Sequence, residues 1–453
     1  MKNIDVVILA AGKGTRMKST QPKVMHRLAG KSLLDHVIEA ARRINPAKVI
    51  IIVGHEEVAI REHYAQNPVT FVSQKEQLGT GHAVAQAIDH LTSLKTLILL
   101  GDVPCIREDS VKRLTQSDAD VIVLTQTVDD PSGYGRIIRA ETGQASKIVE
   151  EKDANPNEQS VKEINTGIFC VDTTLLKQFL RALKNDNSKG EYYLTDLIEF
   201  ASNKGASIET AHPSLTFEAN GVNSKRQLAD LERHYQLELA RELLDSGVTI
   251  SDPNRIDIRG TIACDTDVSI DVGCVFEGNV RLGKNVKIEP NVIIRNSTIQ
   301  DNTTIKAFSH IEGALIGSQN EIGPYARIRP GTESHTQVKI GNFVEVKAST
   351  IGVGSKANHL AYIGDAKIGS SVNVGAGTIT CNYDGANKYQ TTLEDNVFIG
   401  SDTQLVAPVI IGAGSTVAAG STITKDVPPG GLALSRAKQT FIADWKRPTK
   451  TIK

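Results

Sequence analysis

Short apolar runs and stretches of helical periodicity alternate along residues 1–223. Continuous apolar runs predict buried strands over residues 4–10, 49–53, 97–100 and 121–125. Apolar side chains at every third or fourth position predict an amphipathic helix over residues 33–44. Strands separated by helices favour right-handed crossovers, so we expect an α/β domain with a mostly parallel sheet. Ligands on such sheets bind at the carboxyl ends of the strands.

A long helix and then a different periodicity follow this domain. Residues 224–247 predict a linker helix, with an apolar stripe that includes Leu231 and Leu239 and with Gly247 as its stop. From about residue 250 the pattern changes, and aliphatic residues recur at every sixth position within a C-terminal domain that we place, with its tail, at residues 248–453. Three such series are Ile293, Ile299, Ile305, Ile311; Ile316, Ile322, Ile328; and Ile399, Leu405, Ile411, Val417, Ile423. This period is typical of a parallel β-helix in which each hexapeptide forms one face of a triangular coil.

The composition agrees with such a β-helix. Aromatic residues make up 4% of the chain, and most of the 37 glycines lie in its second half. We expect aliphatic side chains to fill the narrow interior of the coils. We expect glycine and other small residues at the corners, either because bulk does not fit there or because φ is positive.

Charge and cysteine usage exclude several classes of protein. The 453-residue chain carries 51 Lys and Arg against 52 Asp and Glu, which argues against nucleic-acid binding and against a polybasic membrane surface. We see no apolar run of the ~18 residues that integral membrane association requires. The five cysteines show no paired spacing, and Met1 to Asp5 lead into the first strand without a signal-peptide layout. We therefore expect a cytoplasmic protein with cysteines that act as small buried hydrophobes.

A glycine-rich loop, LAAGKGTRM over residues 9–17, follows the first predicted strand. Its backbone N–H groups favour phosphate binding, and Lys13 and Arg16 add positive charge. The spacing is neither that of a P-loop nor that of a dinucleotide fingerprint, since Met17 stands where a third glycine belongs. A tight strand-to-helix turn without a ligand is the alternative.

Further candidate residues follow the predicted strands. Gln74 precedes the turn QLGTGHA at residues 77–83, which enters a helix and contains His82, a residue that we expect to pack or cap rather than to catalyse. The strand over residues 97–100 ends in Gly101-Asp102, where a carboxylate beside a phosphate site is a natural Mg²⁺ ligand or, alternatively, a helix cap. Asn223, taken alone, predicts an N-cap for the linker helix.

The string LAAGKGTRM with Gln21-Pro22-Lys23 closely resembles the sugar nucleotidyltransferase signature. This resemblance implies a Rossmann-like α/β fold, nucleoside triphosphate binding and a Mg²⁺ site made by Asp102 and Asn223. Arg16 would stabilise the phosphates, Gln74, Gly79 and Thr80 would read uracil, and Gly135, Glu150 and Asn165 would bind N-acetylglucosamine. The implied UTP and UDP-N-acetylglucosamine site comprises Leu9, Ala10, Ala11, Gly12, Gly14, Lys23, Gln74, Gly79, Thr80, Gly101, Asp102, Gly135, Glu150, Asn165 and Asn223. The segment EYYLTD at residues 191–196 also matches and would lie near the sugar.

The six-residue series resembles the hexapeptide-repeat acyltransferases, which implies a left-handed parallel β-helix. Polar residues that interrupt the rhythm cannot enter an aliphatic interior cheaply, so we expect them on its outside. Arg329, Lys347, His359 and Tyr362 are such residues, and together they suit an anionic sugar phosphate next to a base. Residues 381–385, CNYDG, predict a loop that leaves the coil.

Together the halves resemble bifunctional bacterial enzymes that combine an N-acetylglucosamine-1-phosphate uridyltransferase with a glucosamine-1-phosphate acetyltransferase. The resemblance implies two reactions: acetylation of glucosamine-1-phosphate by acetyl-CoA, then transfer of UMP from UTP to N-acetylglucosamine-1-phosphate. His359 would be the general base, a task that suits histidine. Arg329, Lys347, Tyr362 and Asn373 would hold the sugar phosphate and acetyl group; Ala376, Asn382, Tyr383, Ser401, Ala419 and Arg436 would bind acetyl-CoA. The family also implies a homotrimer with shared acetyl sites.

Two other functions remain as alternatives at this point. A nucleotidyltransferase with the β-helix as an oligomerisation scaffold would keep the N-terminal motifs but would not need the cluster around His359. A non-catalytic regulatory subunit would be expected to lose the phosphate loop or Asp102. The tail from residue 438 onward, with Trp445, would either close over a neighbouring subunit's site or be a solvated terminus.

Overall fold

The computed structural model describes residues 4–450 of the chain. These residues form two compact units, Met1–Tyr235 and Gln236–Lys453. The boundary between the units falls within the helix Lys225–Asp245. Residues 1–3 and 451–453 lie outside the described residues. Part of the N-terminal segment that was read as lacking a signal-peptide layout, and the end of the tail, fall within them.

A mixed sheet forms the centre of the N-terminal unit. Its main path runs, in spatial order, Ile208–Ala211, Val121–Thr127, Glu163–Asp172, Lys95–Leu100, Ile4–Leu9, Lys48–Val53 and Thr70–Ser73. All neighbours on this path are parallel except for Glu163–Asp172, which is antiparallel to the strands on both sides. The four predicted strands are present with slightly displaced ends, and the expectation of a mostly parallel sheet is confirmed. A hairpin of Arg136–Arg139 and Ala145–Val149 joins the sheet through Glu163–Asp172.

Helices cover the sheet and end at recognisable capping residues. The α-helices of this unit are Leu33–Arg43, Glu57–His63, Thr80–Ala85, Glu108–Gln116, Pro156–Gln159, Thr173–Ala182 and Leu197–Asn203. Single 3-10 turns lie at Thr15–Met17, Lys23–Met25, Ile88–His90 and Leu194–Asp196, and a small ladder joins Arg27–Leu28 to Lys31–Ser32. Ser32 caps the first α-helix, where its hydroxyl accepts from the N–H of Asp35 and the Asp35 carboxylate accepts from the N–H of Ser32. Aliphatic side chains such as Val6, Ile8 and Leu99 fill the space between helices and sheet.

The C-terminal unit is a parallel β-helix, consistent with a left-handed coil. One face stacks Thr249–Ile250, Ser269–Ile270, Lys287–Ile288, Thr304–Ile305, Glu321–Ile322, Lys339–Asn342, Lys356–His359, Asn373–Val374, Phe398–Ile399, Thr416–Val417 and Leu432–Ala433. The other faces comprise Ile256–Cys264, Cys274–Leu282, Ile293–Arg295, Thr298–Ile299, His310–Glu312, Leu315–Ile316, Arg327–Ile328, Glu333–Ser334, Glu345–Lys347, Thr350–Ile351, Tyr362–Gly364, Ala366–Ile368, Ile379–Cys381, Thr391–Leu393, Gln404–Val406, Val409–Ile411 and Thr422–Ile423. The 3-10 turn Pro253–Arg255 precedes the first of these strands.

The interior of the β-helix corrects one of the predicted series. Ile299, Ile305 and Ile311 are fully buried, but Ile293 is partly exposed and its neighbour Ile294 takes the interior position. The step from Ile294 to Ile299 is therefore shorter than the predicted hexapeptide. The coils differ in length, because the stacked partners Lys287 and Thr304 are closer in sequence than the stacked partners Glu321 and Lys339. A shorter coil has one shortened face, which breaks the strict period.

At the corners of the coils, asparagine often takes the positions with positive φ, and glycine takes positions where there is no room for a side chain. Several residues with positive φ are asparagines, including Asn285, Asn291 and Asn302, which tolerate the left-handed region. Gly341 has no positive φ, but a Cβ built on it would lie 2.0 Å from the carbonyl oxygen of Asn358 in the next coil. Glycines of this kind are needed because successive coils approach too closely for a side chain.

Among residues 4–450, no helix is long and apolar enough to cross a membrane. The described part of the tail, from residue 436 onward, has no regular secondary structure and exposes Phe441 and Trp445. The five cysteines are free; three of them are buried, and Cys264 and Cys381 are partly exposed.

Candidate active sites

A cavity of about 410 Å³ opens in the N-terminal unit at the carboxyl ends of Ile4–Leu9 and Lys95–Leu100. This is the edge of the sheet where the strand order places ligands. Its lining consists of Leu9, Ala10, Ala11, Gly12, Lys23, Val24, Gln74, Gln77, Gly79, Thr80, Ala83, Leu100, Asp102, Glu150, Lys189, Glu191 and Tyr193. The cavity thus brings together the glycine loop, the QLGTG turn, the aspartate after the strand and Glu150.

The glycine loop presents exposed backbone at one end of the cavity. Nothing lies within 4 Å of a Cβ built on Gly12, so the approach to the loop is open there. Gly14 has a φ of +60°, and a Cβ at this position would lie 2.7 Å from the Cβ of Lys23, so the loop can fold against Lys23 only with glycine. Arg16 is exposed on the turn Thr15–Met17 and is not among the residues that line the cavity.

Asp102, Asn223 and Lys23 converge at this end of the cavity. The Nζ atom of Lys23 lies 2.5 Å from Oδ2 of Asp102 and 3.2 Å from Oδ1 of Asn223. The backbone N–H of Val222 donates to the carbonyl oxygen of Asp102 at 2.9 Å, which brings the chain before the long helix to the end of the strand. The side chains of Lys23 and Asp102 are mostly buried, so water screens this ion pair less than one on the surface.

The alternative of Asn223 as a helix cap is wrong, because Ser224 takes that position. The hydroxyl of Ser224 accepts from the N–H of Gln227, and the side-chain oxygen of Gln227 accepts from the N–H of Asn223. This reciprocal pair resembles a capping box placed one residue further along the chain. The Asn223 side chain is therefore free to face Lys23 and Asp102.

Lys23 lies between the side-chain oxygens of Asp102 and Asn223, the two residues that were expected to bind a metal. The ammonium group of Lys23 contacts one carboxylate oxygen and one amide oxygen, which are donors that suit Mg²⁺. Within residues 4–450, no group of three or more His, Cys, Asp or Glu side chains is arranged to hold a metal. The donor set thus fits a cation that takes its remaining ligands from water and substrate, and it does not fit a closed structural site.

The QLGTG turn forms the wall on the other side of the cavity. Gln74 is buried, and its side-chain amide donates to the carbonyl oxygen of Gly79 at 3.2 Å. Gly79 has a φ of +112°, and a Cβ there would lie 2.5 Å from the carbonyl oxygen of Tyr192. The ring nitrogens of His82 lie 3.1 Å from the side-chain nitrogens of Gln74 and Gln86. His82 therefore supports Gln74 within a packed network, as the expectation of a packing residue requires.

Gly135, Glu150 and Asn165 also converge. The carbonyl oxygen of Gly135 accepts from the N–H of Asn165 at 2.8 Å. A Cβ on Gly135 would lie 3.5 Å from Oε1 of Glu150 and 3.7 Å from the Cβ of Asn165. Glu150 accepts a hydrogen bond of 3.2 Å from Thr195, whereas its neighbour Glu151 pairs with Arg136 at 2.5 Å. Of the two adjacent glutamates, Glu150 is the one that lines the cavity.

Burial and crowded negative charge raise carboxyl pKa values around Glu150. Its own pKa is raised mainly by burial, although the hydrogen bond from Thr195 opposes this. The pKa of Asp196 is raised to about 6 by burial and then by the negative charges of Glu199, Glu150 and Asp153. The carboxyl group of Glu150, which lines the cavity, is therefore harder to ionise than that of an ordinary glutamate.

Sequence reasoning missed Lys189, which lines the cavity close to Tyr193. It lies in the polar run of residues 185–190, where composition predicts a surface loop and distinguishes no single residue. The loop returns to the cavity because Tyr192, just after it, donates from its N–H to Leu78 and accepts at its carbonyl from Gly81. The EYYLTD segment is therefore part of the cavity wall, which a lone motif cannot reveal.

On the β-helix, three of the singled-out residues lie together on the outside of successive coils. Arg329 pairs with Glu345 at 2.7 Å, and Lys347 lies 3.6 Å from Asp365. Tyr362 stands opposite Glu345 in the strand register, so its ring belongs to the same face. Both cations raise local positive potential on this face, and each is already balanced by a carboxylate.

His359 lies at the end of the strand Lys356–His359 on the adjoining face. Its Nδ1 atom is 3.0 Å from Oδ1 of Asn342, which precedes it by one coil. Leu360 and Ala361 form the corner that separates His359 from Tyr362, and Leu360 has a φ of +45°. The carbonyl oxygen of Leu360 accepts from the N–H of Gly377, so Ala376 belongs to the adjacent corner of the next coil. Asn373 starts the strand of that coil.

The residues CNYDG form the predicted excursion from the coil. Asn373 and Phe398 are stacked partners although an unusually long stretch of chain separates them, and a bridge between Tyr383 and Lys388 closes the loop. The side-chain nitrogen of Asn382 donates to Asp365, which itself faces Lys347. Tyr383 is exposed at the base of the loop. The excursion therefore joins the face that carries Lys347.

Ser401 and Ala419 lie on successive coils toward the end of the β-helix, and Arg436 begins the tail just beyond the last strand, Leu432–Ala433. The carbonyl oxygen of Ser401 accepts from the N–H of Gly420, and the guanidinium of Arg436 donates to the carbonyl oxygen of Ala419 at 2.9 Å. The structure thus stacks these three residues in one column. In the described chain they lie one or more coils beyond Ala376, along the axis of the β-helix.

Comparison with known proteins gives matches to both units. Residues 6–164 match the MobA-like NTP transferase domain, residues 258–350 the GMPPB C-terminal domain, and residues 390–425 the bacterial transferase hexapeptide (six repeats). Among solved structures, HddC from Yersinia pseudotuberculosis matches at 22% identity and a TM-score of 0.40, over 51% of this chain and 99% of that chain. A nucleotidyl transferase from Methanothermobacter thermautotroptrophicus matches at 16% identity and a TM-score of 0.38, over 52% of this chain and 98% of that chain.

Full-length relatives extend these matches. The Bifunctional protein GlmU of Ralstonia nicotianae is 55% identical over 99% of both chains, and that of Burkholderia multivorans is 54% identical over the same shares. The protein of the same name from Cupriavidus pinatubonensis is 52% identical over 99% of this chain and 100% of its own. These matches confirm the predicted pairing of two transferase activities and set aside the scaffold and the regulatory subunit. The chain belongs to the GlmU family of bifunctional enzymes, which unite an acetyltransferase and a uridyltransferase in the synthesis of UDP-N-acetylglucosamine.

Proposed function

We propose that the cavity at the carboxyl ends of Ile4–Leu9 and Lys95–Leu100 is the uridyl-transfer site and that the face around His359 is the acetyl-transfer site. The proposal divides the chain into a uridyltransferase domain at residues 1–223, a linker helix at 224–247 and an acetyltransferase domain at 248–453. The observation that carries it is the convergence of Lys23, Asp102 and Asn223 on one end of a cavity that also contains the glycine loop.

The phosphates of UTP belong at the glycine loop. Leu9, Ala10, Ala11 and Gly12 line this end of the cavity, and the open space at Gly12 admits a phosphate beside backbone N–H groups. Gly14 allows Lys23 to approach the loop closely, and Gly101 follows the strand that delivers Asp102. Arg16 is exposed at the mouth of the loop, where a guanidinium can reach outer phosphate oxygens by swinging inward.

Mg²⁺ is the metal that this donor set suits best. Asp102 and Asn223 would hold it through one carboxylate oxygen and one amide oxygen, and water and phosphate oxygens would supply the other ligands. Bound there, Mg²⁺ would neutralise charge on the triphosphate. Lys23 now contacts both oxygens, so it would turn toward substrate phosphate when the metal site fills.

The base of the nucleotide belongs at the QLGTG turn. The side-chain nitrogen of Gln74 is held by the carbonyl oxygen of Gly79 and by Nδ1 of His82, so its side-chain oxygen is left as a fixed acceptor for an N–H at the edge of a uracil ring. Thr80 begins the helix Thr80–Ala85, and its hydroxyl accepts from the N–H of Leu194, which anchors the turn. A fixed pattern of this kind rejects a base whose edge has donors and acceptors exchanged.

N-acetylglucosamine-1-phosphate belongs beside Gly135, Glu150 and Asn165. Their side chains and backbone lie within contact of one another, and polar groups of this kind suit the hydroxyl and amide groups of a sugar. The sugar phosphate oxygen then forms a bond to the α-phosphorus of UTP while the bond from that phosphorus to pyrophosphate breaks. The residues contribute positioning and charge neutralisation and need no covalent intermediate.

In acetyl transfer, His359 acts as the general base. Asn342 accepts from Nδ1–H of the imidazole, which leaves Nε2 able to take a proton from the 2-amino group of glucosamine-1-phosphate. The amine nitrogen bonds to the acetyl carbon of acetyl-CoA while the carbon–sulfur bond breaks, and the departing thiolate takes up the proton that His359 removed and leaves as the thiol of coenzyme A. Arg329 and Lys347 would bind the sugar phosphate once it displaces their carboxylate partners, with Tyr362 and Asn373 along the sugar.

Acetyl-CoA would lie along the column of coils beyond the histidine. Ala376 precedes Gly377, whose N–H donates to the carbonyl oxygen of Leu360 next to His359, and the backbone N–H of Ala376 would stabilise an oxyanion there. Asn382 and Tyr383 border the face that carries Lys347. Ser401 and Ala419 continue this column, and Arg436 at its end suits the coenzyme's phosphates. The coenzyme would thus extend along the β-helix rather than across it.

A homotrimer suits the exposed surface of the β-helix. Phe308, Tyr325 and Phe343 are half-exposed and stack on one another with ring centroids 5.0 and 5.4 Å apart. Exposed Leu360 continues this ladder to the residue after His359. A continuous apolar ridge of this kind marks a surface that another chain covers. Residues from a neighbouring copy would then complete the acetyl site.

A cytoplasmic location accords with the chemistry. The five cysteines are unpaired, as is usual in a reducing compartment, and the substrates UTP and acetyl-CoA are cytoplasmic metabolites. Small molecules are the proposed substrates, and the balanced charge of the chain does not suggest nucleic acid.

One assay tests the whole proposal. The protein is incubated with glucosamine-1-phosphate, acetyl-CoA, Mg²⁺ and UTP, dTTP, CTP or GTP in turn, and the products are identified by mass. We expect UDP-N-acetylglucosamine with UTP and a much lower yield with CTP and GTP. An equal yield with all four would refute the assignment of Gln74, Gly79 and Thr80 to uracil. Product without Mg²⁺, or equal product with Ca²⁺ in its place, would refute the metal assignment.

A further inference from the structure

Two adjacent glutamates leave the end of a short hairpin in opposite directions. The strands Arg136–Arg139 and Ala145–Val149 are antiparallel, and Glu150 and Glu151 follow directly. The strand ends at Val149, and the chain then turns, because the N–H of Asp153 donates to the carbonyl oxygen of Glu150 at 2.9 Å. Glu150 lines the cavity, and Glu151 is turned away from it.

The hairpin strands are held by their own packing. Ile137, Ala145 and Ile148 are buried in the core of the unit, which specifies the register of the two strands. These contacts end with the strand at Val149. Another contact must therefore set the directions of Glu150 and Glu151.

That contact is an ion pair between Arg136 and Glu151. Arg136 is 1% exposed, and its Nη2 atom lies 2.5 Å from Oε2 of Glu151. The second guanidinium nitrogen donates to the carbonyl oxygen of Tyr134, and the N–H of Gly133 lies 3.4 Å from the same carboxylate oxygen. Arg136 thus ties the chain before the hairpin to the chain after it.

Contacts at the end of the strand show how this pair directs Glu150. Arg136 stands opposite Val149, the last residue of its strand, and reaches past it to Glu151 in the turn. A Cβ built on Gly135 would have Ile148, Oε1 of Glu150 and Asn165 as its nearest neighbours. While Arg136 holds Glu151, Glu150 therefore stays beside Gly135 and Asn165.

A buried guanidinium is a poor way to gain stability. Removing it from water is costly, and its Nε atom has no hydrogen-bond partner among residues 4–450. Buried ion pairs are better established as devices that select one arrangement over another. The pairing of Arg136 fits that purpose, since it holds Glu151 away from the cavity that Glu150 lines.

We propose that Arg136 is a positioning residue for uridyl transfer, which holds the turn after the hairpin through Glu151 and so directs Glu150 at the sugar. This inference rests on the proposed binding of N-acetylglucosamine-1-phosphate by Gly135, Glu150 and Asn165. Arg136 itself touches neither substrate. Its effect on the reaction passes through the face on which Glu150 lies.

The first experiment replaces Arg136 in the full-length enzyme. Arg136→Met should raise the KM for N-acetylglucosamine-1-phosphate by about tenfold or more, because a misplaced binding group weakens positioning. The KM for UTP should change by less than about twofold, and acetyl transfer by the same chain should be unchanged. Arg136→Lys keeps the charge and should recover part of the loss.

A matched control lies on the same strand. Arg139 pairs with Glu163 at 2.7 Å, but this pair is on the exposed side of the hairpin. Arg139→Met should leave both KM values unchanged. If Arg136 served stability alone, Arg136→Met would lower the melting temperature and leave the ratio of the two KM values as it is in the natural chain, and that result would overturn the proposal.

A double-variant experiment tests whether Arg136 and Glu150 act through the same arrangement of the chain. In the natural chain, Glu150→Gln should raise the KM for the sugar phosphate substantially. In the Arg136→Met background, Glu150 no longer faces the cavity reliably, so Glu150→Gln should add little and Glu151→Gln should now be harmful. Fully multiplicative effects of Arg136→Met and Glu150→Gln would contradict a shared mechanism.

An incorrect sugar site and an incorrect role for Arg136 would give different kinetic results. If Glu150→Gln in the natural chain leaves the KM for the sugar phosphate unchanged, the proposed sugar site is wrong. If Glu150→Gln raises that KM but neither Arg136→Met nor the milder Glu151→Gln does, the sugar site stands and the positioning role of Arg136 is wrong. Should Arg136→Met fail to fold, Arg136→Lys and Glu151→Gln decide the question in its place.

Discussion

The ammonium group of Lys23 lies 2.5 Å from the carboxylate of Asp102, in the position where a metal ion would share that carboxylate. Asn223 completes the arrangement with an amide oxygen 3.2 Å from the same ammonium group. Two cations cannot occupy one pair of oxygens, so Lys23 and a divalent ion compete in the nucleotide-free protein. The same lysine is proposed to bind phosphate during uridyl transfer. Its removal should therefore strengthen metal binding but weaken uridyl transfer.

We expect Lys23→Met to tighten metal binding while it weakens catalysis. Loss of the competing charge should raise the affinity of the nucleotide-free protein for Mn²⁺, used as a paramagnetic probe, by about tenfold. Uridyl transfer should fall by about a hundredfold or more, since phosphate loses a charged partner. Electron paramagnetic resonance measures the first effect, and the release of pyrophosphate measures the second.

Lys13→Met is the matched control for Lys23→Met. Lys13 belongs to the same glycine loop but is exposed and does not line the cavity. Its replacement should leave Mn²⁺ affinity unchanged. Asp102→Asn should abolish the Mn²⁺ site and uridyl transfer together while acetyl transfer continues. Unchanged or weaker Mn²⁺ binding by Lys23→Met would show that the lysine does not compete with the metal.

The second prediction concerns His359 and the residue that orients it. His359→Ala should lower the rate of acetyl transfer by about a thousandfold, which is a usual contribution of a general base, and should leave uridyl transfer unchanged. Asn342→Ala should give a smaller loss of about tenfold, because the imidazole keeps its place but loses the partner of Nδ1. Steady-state kinetics with acetyl-CoA and glucosamine-1-phosphate measure both effects.

His335→Ala controls for the loss of any histidine from the β-helix. His335 is exposed and lies on an earlier coil, away from Asn342 and Tyr362. This variant should retain full acetyl transfer. Equal losses in His335→Ala and His359→Ala, or full activity in His359→Ala, would refute the assignment of the base.

Much of the fold was predictable because burial leaves a periodic record in the sequence. The strands of the N-terminal sheet and the aliphatic columns of the β-helix follow directly from runs and periods. The error at Ile293 arose because some coils have one shortened face, and this depends on how successive coils stack. The antiparallel strand Glu163–Asp172 also has no sequence signal of direction, since its neighbours decide its pairing.

The candidate sites were predictable where a motif fixes backbone geometry, as at Gly14 and Gly79. They were less predictable where polar side chains choose among partners. Asn223 was expected to be a possible helix cap, but Ser224 takes that role because the capping interaction with Gln227 begins there. Lys189 and Arg136 carry no local signal, since one lies in an ordinary polar loop and the other owes its burial to strands distant in sequence.

The third prediction concerns the aromatic ladder on the β-helix. Tyr325→Glu combined with Phe343→Glu places two charges within the stacked, half-exposed rings. If three copies of the chain cover this ridge, the double variant should dissociate, since an apolar interface does not accept unpaired charge. Acetyl transfer should fall with the loss of the trimer, whereas uridyl transfer should persist. Sedimentation velocity measures the mass in solution.

Leu315→Glu is the control for the aromatic ladder. Leu315 is an exposed apolar residue on another face of the β-helix, and its replacement should leave the mass in solution unchanged. A natural chain that sediments as a monomer would exclude the trimer. A trimeric double variant would show that the ladder is not the contact between copies.

The fourth prediction concerns Asp196, whose pKa is raised to about 6 by burial and by nearby negative charges. Below the ordinary pKa of aspartate, the carboxyl is protonated in the folded and the unfolded chain, so the favourable contribution of its neutral form is fully present. As the pH rises from there through about 6, Asp196 ionises freely in the unfolded chain. In the folded protein, the same carboxyl must either stay protonated or carry a partly buried charge, and both cost free energy. The folded protein therefore loses stability over this range of pH. Asp196→Asn removes this loss, so the melting temperature of the N-terminal unit should rise more at pH 8 than at pH 5. Calorimetry measures this melting temperature, and the transition of the N-terminal unit is identified by its shift in the presence of UTP.

Asp130, whose pKa is lowered by hydrogen bonds from Ser132, is the control, and Asp130→Asn should bring no gain in melting temperature as the pH rises. An equal gain for Asp196→Asn at both pH values would show that titration of this carboxyl is not responsible.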